Sequence, residues 1–73
     1  MDTVTQTAFR DLWRLWQNNL TMGDDPERIN AVVREAGEIV ARAEAAADPA
    51  FVIDFGIAVI DSLARLNIGK GTG

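Results

Sequence analysis

Apolar residues recur with a helical period in three stretches of this chain, and each stretch is opened by residues that favour helix starts. In the first, Phe9, Leu12, Trp13, Trp16 and Leu20 follow the spacing that stacks side chains on one face of a helix. Val4, Ala8 and Leu15 widen that face to about 180°, with Arg10, Arg14, Gln17 and Asn18 opposite. The pattern predicts a helix over about 3–20, capped by Asp2 or Thr3. Its apolar face is wider than one neighbouring helix requires.

Asn18-Asn19 and Thr21-Met22-Gly23 break this pattern, and Asp25-Pro26 then supplies an N-cap with proline at the first helical position. A second helix is predicted over 26–47. Its seam of Ile29, Val32, Val33, Ala36, Ile39, Val40, Ala43 and Ala47 spans about 140°, as expected of an ordinary amphipathic helix. Arg34 with Glu38, and Glu38 with Arg42, are spaced for ion pairs on the solvent face. Gly37 flanks the seam. With the alanines it would admit another helix at close range, although a mid-helix glycine costs about 1 kcal/mol relative to alanine.

Asp48-Pro49 repeats the capping device and predicts a third helix over 49–67. The very short corner before it leaves two geometries open: a tight helical hairpin, or a kinked continuation that projects helix 3 away from helix 2 and favours an intertwined dimer. The β-branched residues of Phe51-Val52-Ile53 and Ile57-Ala58-Val59-Ile60 also suit a buried strand. The polar residues decide for the helix, because Asp54, Asp61 and Arg65 share one narrow stripe at helical spacing, whereas a strand would put Asp54 and Asp61 on opposite faces.

Projected as a helix, that polar stripe with Ser62 occupies about 100° and leaves roughly 240° apolar. One subface carries Val52, Phe55, Val59, Leu63 and Leu66, and the other Ile53, Ile57, Ile60 and Ala64. Two covering elements are needed. Helices 1 and 2 of the same chain can provide them in a compact bundle, but the surplus favours association with a second chain. Three or four uncovered large side chains give about 5–10 kcal/mol of gross driving force, from which association entropy removes several. Trp13 and Trp16, close to Phe9 on the broad face of helix 1, strengthen this expectation, since tryptophan is enriched where interfaces concentrate their energy.

The expected fold is therefore all-α, with three helices in a small bundle or an intertwined helical dimer. Residues 1–68 form a single helical domain and 69–73 a flexible C-terminal tail. A chain of 73 residues supports one domain whose lone core is only marginally stabilising. An apolar fraction of 48% is that of a globular protein.

Composition narrows the chemistry. The chain has no cysteine and no histidine, which removes disulfides, thiolate metal sites and the usual zinc and general-base chemistry. Ser62 has no evident base. Glu35 and Glu38 could share a magnesium ion, but a metal-dependent hydrolase needs further carboxylates from a second helix, and Asp54 with Asp61 is the available pair. Gly69-Lys70-Gly71-Thr72 lacks the spaced first glycine and the hydroxyl directly after lysine of a phosphate-binding loop. No enzyme, metal or cofactor is expected.

A net charge of −4 repels a phosphate backbone, and helix 3 offers a DNA groove one arginine and two aspartates, so no direct nucleic-acid contact is expected. The run Phe51–Ile60 is shorter than a membrane span and contains Asp54, and the start Met1-Asp2-Thr3 is not that of a signal peptide. A cytoplasmic protein without membrane contact is expected. The functional expectation is a small non-enzymatic protein-binding regulator, of the inhibitor or adaptor type, such as phages and mobile elements encode. It acts as a homodimer on a protein partner through Phe9, Trp13, Trp16, Val52, Ile53, Phe55, Ile57, Val59, Ile60, Leu63 and Leu66. The alternative is an obligate structural or assembly subunit of a larger oligomer.

Overall fold

Each helix starts where a carboxylate can satisfy amides that have no intrahelical acceptor. A computed structural model describes residues 2–68. It contains α1 (Thr3–Asn18), α2 (Pro26–Arg42) and α3 (Pro49–Asn67). Asp2 Oδ1 accepts from the Thr5 amide at 2.7 Å, Asp25 from Glu27 at 3.2 Å and Asp48 from Phe51 at 3.3 Å. Pro26 and Pro49 occupy the first turns of their helices, where a missing N–H costs nothing. The expected tail, 69–73, lies outside the described residues.

Asn19 ends α1 instead of continuing it to residue 20 as the periodicity predicts. Its side chain is buried, with Nδ2 donating to the Leu15 carbonyl at 2.7 Å and Oδ1 accepting from Arg28 Nε at 2.8 Å. Gly23 then takes a φ of +80°, the left-handed region that favours glycine, and its amide donates to Asn67 Oδ1 at 2.9 Å. Asn67 Nδ2 also donates to the Asn19 and Leu63 carbonyls. These two asparagines tie the α1–α2 connection to the end of α3.

The second helix ends at Arg42, short of the predicted residue 47. Residues 43–48 turn instead, with the Ala43 amide donating to Val40 O and the Ala46 amide to Ala43 O, while Ala43 and Ala46 are buried. The Ala47 amide donates to Asp2 Oδ2 at 2.9 Å, which fastens this corner to the start of α1. Of the two corner geometries, the hairpin is the one formed. Val40 lies against Gly56 and Gly23 against Asn67, so α2 and α3 are antiparallel. Phe9 meets Phe51, and Trp16 meets Ser62, so α1 and α3 are parallel.

All three helix pairs pack against one another. The core holds Leu12, Leu15, Val32, Ile39, Val52, Val59 and Leu63 around the small residues Ala8, Ala36 and Ala43. Gly56 lets α3 approach α2 closely, since a Cβ there would lie 3.0 Å from Val40 Cγ2. Of the two apolar subfaces of α3, the Val52 subface is covered within the protomer. Val52 is 0% exposed, and Val59 and Leu63 are buried with it, because α1 and α2 together close over that side.

Candidate functional site

Packing three helices around one core leaves part of α3's apolar arc outside, and what remains divides into two faces. Of the residues expected at an interface, Val52, Val59 and Leu63 lie in the core, while Phe9, Trp16, Phe55, Ile60 and Leu66 are half-buried. Trp13, at 51%, Ile53, at 43%, and Ile57, at 63%, stand exposed. Val33, Phe51 and Ile68 are also exposed, though periodicity did not single them out as surface. For Val33 a signal was present: it sits four residues before Gly37 and eight before Ala41, a stripe at the edge of the α2 seam.

The first face is a groove between α2 and α3 with a volume of about 510 Å³. Val33, Gly37 and Val40 form its α2 side, and Ile53, Ile57, Ile60 and Ala64 its α3 side. Among the described residues, Asp61 is the one charged side chain lining it. Gly37 is exposed on the edge, and a Cβ added there would meet nothing within 4 Å. Unlike Gly56, this glycine answers no packing demand in the protomer, yet costs about 1 kcal/mol of helix propensity.

The second face is an aromatic shelf between α1 and α3. Phe9 stacks on Phe55 with centroids 4.7 Å apart and meets Phe51 edge-on at 5.0 Å. Trp13 and Trp16 lie 5.1 Å apart and border a cleft of about 140 Å³ with Phe55, Ala58 and Val59. Trp16 Nε1 donates to Ser62 Oγ at 3.0 Å, so the hydroxyl orients a tryptophan. That bond fixes Trp16 in place, whereas Trp13 projects outward. On α3 the two faces are separated by the exposed stripe of Asp54, Ala58, Asp61 and Arg65, in which Arg65 pairs with Asp61.

Compared with family models, with curated proteins and with solved structures, the chain matches none. Its surfaces therefore carry the functional reading by themselves. A third cleft, between α1 and α2, is polar and about 400 Å³, and it interleaves Arg14, Arg28 and Arg42 with Asp11 and Glu35. Its charges largely offset one another along a solvated face. Among the described residues, no group of three acidic side chains is placed to hold a metal ion, so Glu35 and Glu38 gain no further ligands. None of the described buried side-chain nitrogens or oxygens lacks a hydrogen-bond partner.

Asp2 is held below its ordinary pKa because its charged form accepts hydrogen bonds from the Thr5 amide first and the Ala47 amide second. This is a structural device that ties the start of α1 to the α2–α3 corner. No helix among the described residues is long and apolar enough to cross a membrane.

Proposed function

We propose that this chain is a small non-enzymatic protein-binding regulator, of the inhibitor or adaptor type, which works as a homodimer and contacts its protein partner through apolar surface on α1 and α3. The observation that carries this reading is the exposure of Trp13, Phe51, Ile53 and Ile57 around a core that is already closed by Leu12, Val52 and Leu63. Large apolar side chains clustered on a folded protomer favour contact with another chain, because covering them removes apolar area from water. The aromatic shelf supplies the anchors typical of protein interfaces: one tryptophan locked by a hydrogen bond, its neighbour free to enter a partner's pocket.

Capture from native cell extract tests this, using the wild-type chain and Trp13→Ser as paired baits. Trp13 lies outside the core, so the variant keeps the fold. The reading predicts a protein retained by wild type and lost by the variant. Retention of the same proteins by both baits, or of none by either, overturns it. Two apolar faces divided by a polar stripe also suit a subunit built permanently into a larger assembly. A closed oligomer larger than a dimer in light scattering decides for that second reading.

A further inference from the structure

We infer that the α2–α3 groove takes a second copy of this chain, with Ile57 of each copy seated in a hole on the other's α2. This deepens the reading above, on which it rests for the role left to the α1–α3 shelf. An isologous two-fold contact must carry a protrusion and its matching recess on the same patch. The groove does so. Among the described residues, Ile57 is the most exposed of the large apolar side chains, and beside it on α2 the open notch at Gly37 is bounded by Arg34, Glu38 and Ala41. Positions i, i+3, i+4 and i+7 are the four that form a hole for a knob from a facing helix. The shelf's own recess, the cleft of about 140 Å³ beside Trp13, is far smaller than the groove's 510 Å³ and is lined by no glycine.

A two-fold axis parallel to the helices sets α2 of one copy antiparallel to α3 of the other and keeps every residue at its own height. The four helices then alternate in direction around a square, a standard bundle arrangement. Val40 lies against Gly56 in this antiparallel pair, so Arg34, six residues before Val40, falls within about one residue of the height of the second copy's Asp61. By the same register Gly37 falls within about two residues, some 3 Å, of the height of Ile57, which brings knob and notch to neighbouring levels. Among the described residues, Arg34 makes no ion pair within its own chain. The symmetry provides one twice, at both rims of the apolar patch.

The area suits a reversible dimer. Seventeen residues of α2 extend about 25 Å, and two adjacent helices are about 20 Å across, giving about 500 Å² per copy. The total, about 1,000 Å², is near the lower limit for a specific association. Self-association through this face also leaves Trp13 and Phe51 uncovered for a different protein.

Sedimentation equilibrium of the full chain from 1 to 300 μM tests the assignment, with urea unfolding at the lowest workable concentration as a control for folding. Wild type should dimerise, and Ile57→Ser and Gly37→Leu should each raise the dissociation constant at least tenfold while the protomer stays folded. Arg34→Glu and Asp61→Arg should each weaken the dimer at least threefold, and the two combined should return it to within threefold of wild type. Trp13→Ser should leave it unchanged. A wild-type monomer at 300 μM, a dimer indifferent to Ile57→Ser and Gly37→Leu, or a charge swap that fails to restore association overturns the inference. A dimer lost in Trp13→Ser but kept in Ile57→Ser also overturns it. A monomer that still captures its partner in a Trp13-dependent way sinks the dimer alone and leaves the protein-binding reading standing.

Discussion

Alanine at Gly37 and at Gly56 should have opposite effects, although both glycines lie inside helices and offer the same propensity gain of about 1 kcal/mol. At position 37 the new methyl meets nothing within 4 Å, so the gain is realised in full. For a domain of this size, about 1 kcal/mol raises the melting temperature by roughly 4–8 °C. At position 56 the methyl would stand 3.0 Å from Val40 Cγ2 and 3.9 Å from both Leu12 Cδ atoms. Val40 is β-branched and helical, so its χ1 has one strongly preferred rotamer and cannot swing aside cheaply. The helices must separate by a few tenths of an ångström, and overpacking of this kind costs about 1–3 kcal/mol. After the propensity gain, Gly56→Ala should be neutral to about 2 kcal/mol destabilising, which leaves the two variants about 1–3 kcal/mol apart. Urea unfolding followed by circular dichroism, at a concentration low enough to keep the chains monomeric, measures both. Equal stability of the two variants, or a more stable Gly56→Ala, would refute the close α2–α3 packing.

Leu12→Ala removes a side chain with no solvent exposure and should cost about 2–5 kcal/mol, a large share of the roughly 4–11 kcal/mol available to a domain this small, so thermal melting should find its midpoint lowered by at least about 8 °C. Trp16→Phe deletes the donor to Ser62 and should cost about 0.5–1.5 kcal/mol beyond the change in ring area; a double-mutant cycle with Ser62→Ala isolates that coupling. Asp2 has a folded pKa below its unfolded one, so its contribution is present above the ordinary aspartate value of about 3.9 and is lost as pH falls through the lowered folded value. Acid unfolding of Asp2→Asn should accordingly be less steep across that window than that of wild type. Asp61→Ala removes only an exposed pair with Arg65 and should change protomer stability by less than about 0.5 kcal/mol, as read by urea unfolding at low concentration.

Much of the fold was legible because it is written in local chemistry. Asp2, Asp25-Pro26 and Asp48-Pro49 mark all three helix starts, and the period of apolar residues identifies the helices between them. Helix ends were less legible. Ala43 to Ala47 have high helix propensity and no glycine or asparagine among them, yet the chain turns there because reversal lets α3 pack on α1 and Asp2 holds the corner through Ala47. Asn19 reads as a weak helical residue, and its role as a buried bridge to Arg28 depends on a partner nine positions away.

The candidate surface was legible in kind but not in membership. Periodicity separates the Val52 and Ile57 subfaces of α3, yet it cannot say which one two helices of the same chain will cover. Tertiary packing decides this: Gly56 lets α3 close on Val40 of α2 with Val52 and Val59 buried, while Ile53 and Ile57 stay exposed along the groove. Val33 and Gly37 matter only once α3 lies beside them. The sequence read them as an ordinary seam and its flank.

The exposed apolar faces are most directly tested by the fluorescence of a hydrophobic dye per chain, recorded together with light scattering as protein concentration rises. Protein contact through these faces predicts strong dye binding at low concentration that declines as a species of twice the chain's mass accumulates. Residual dye binding should persist in that dimer, where Trp13 and Phe51 remain open. A folded monomer at every concentration that binds no dye would contradict the claim that these faces are contact surfaces.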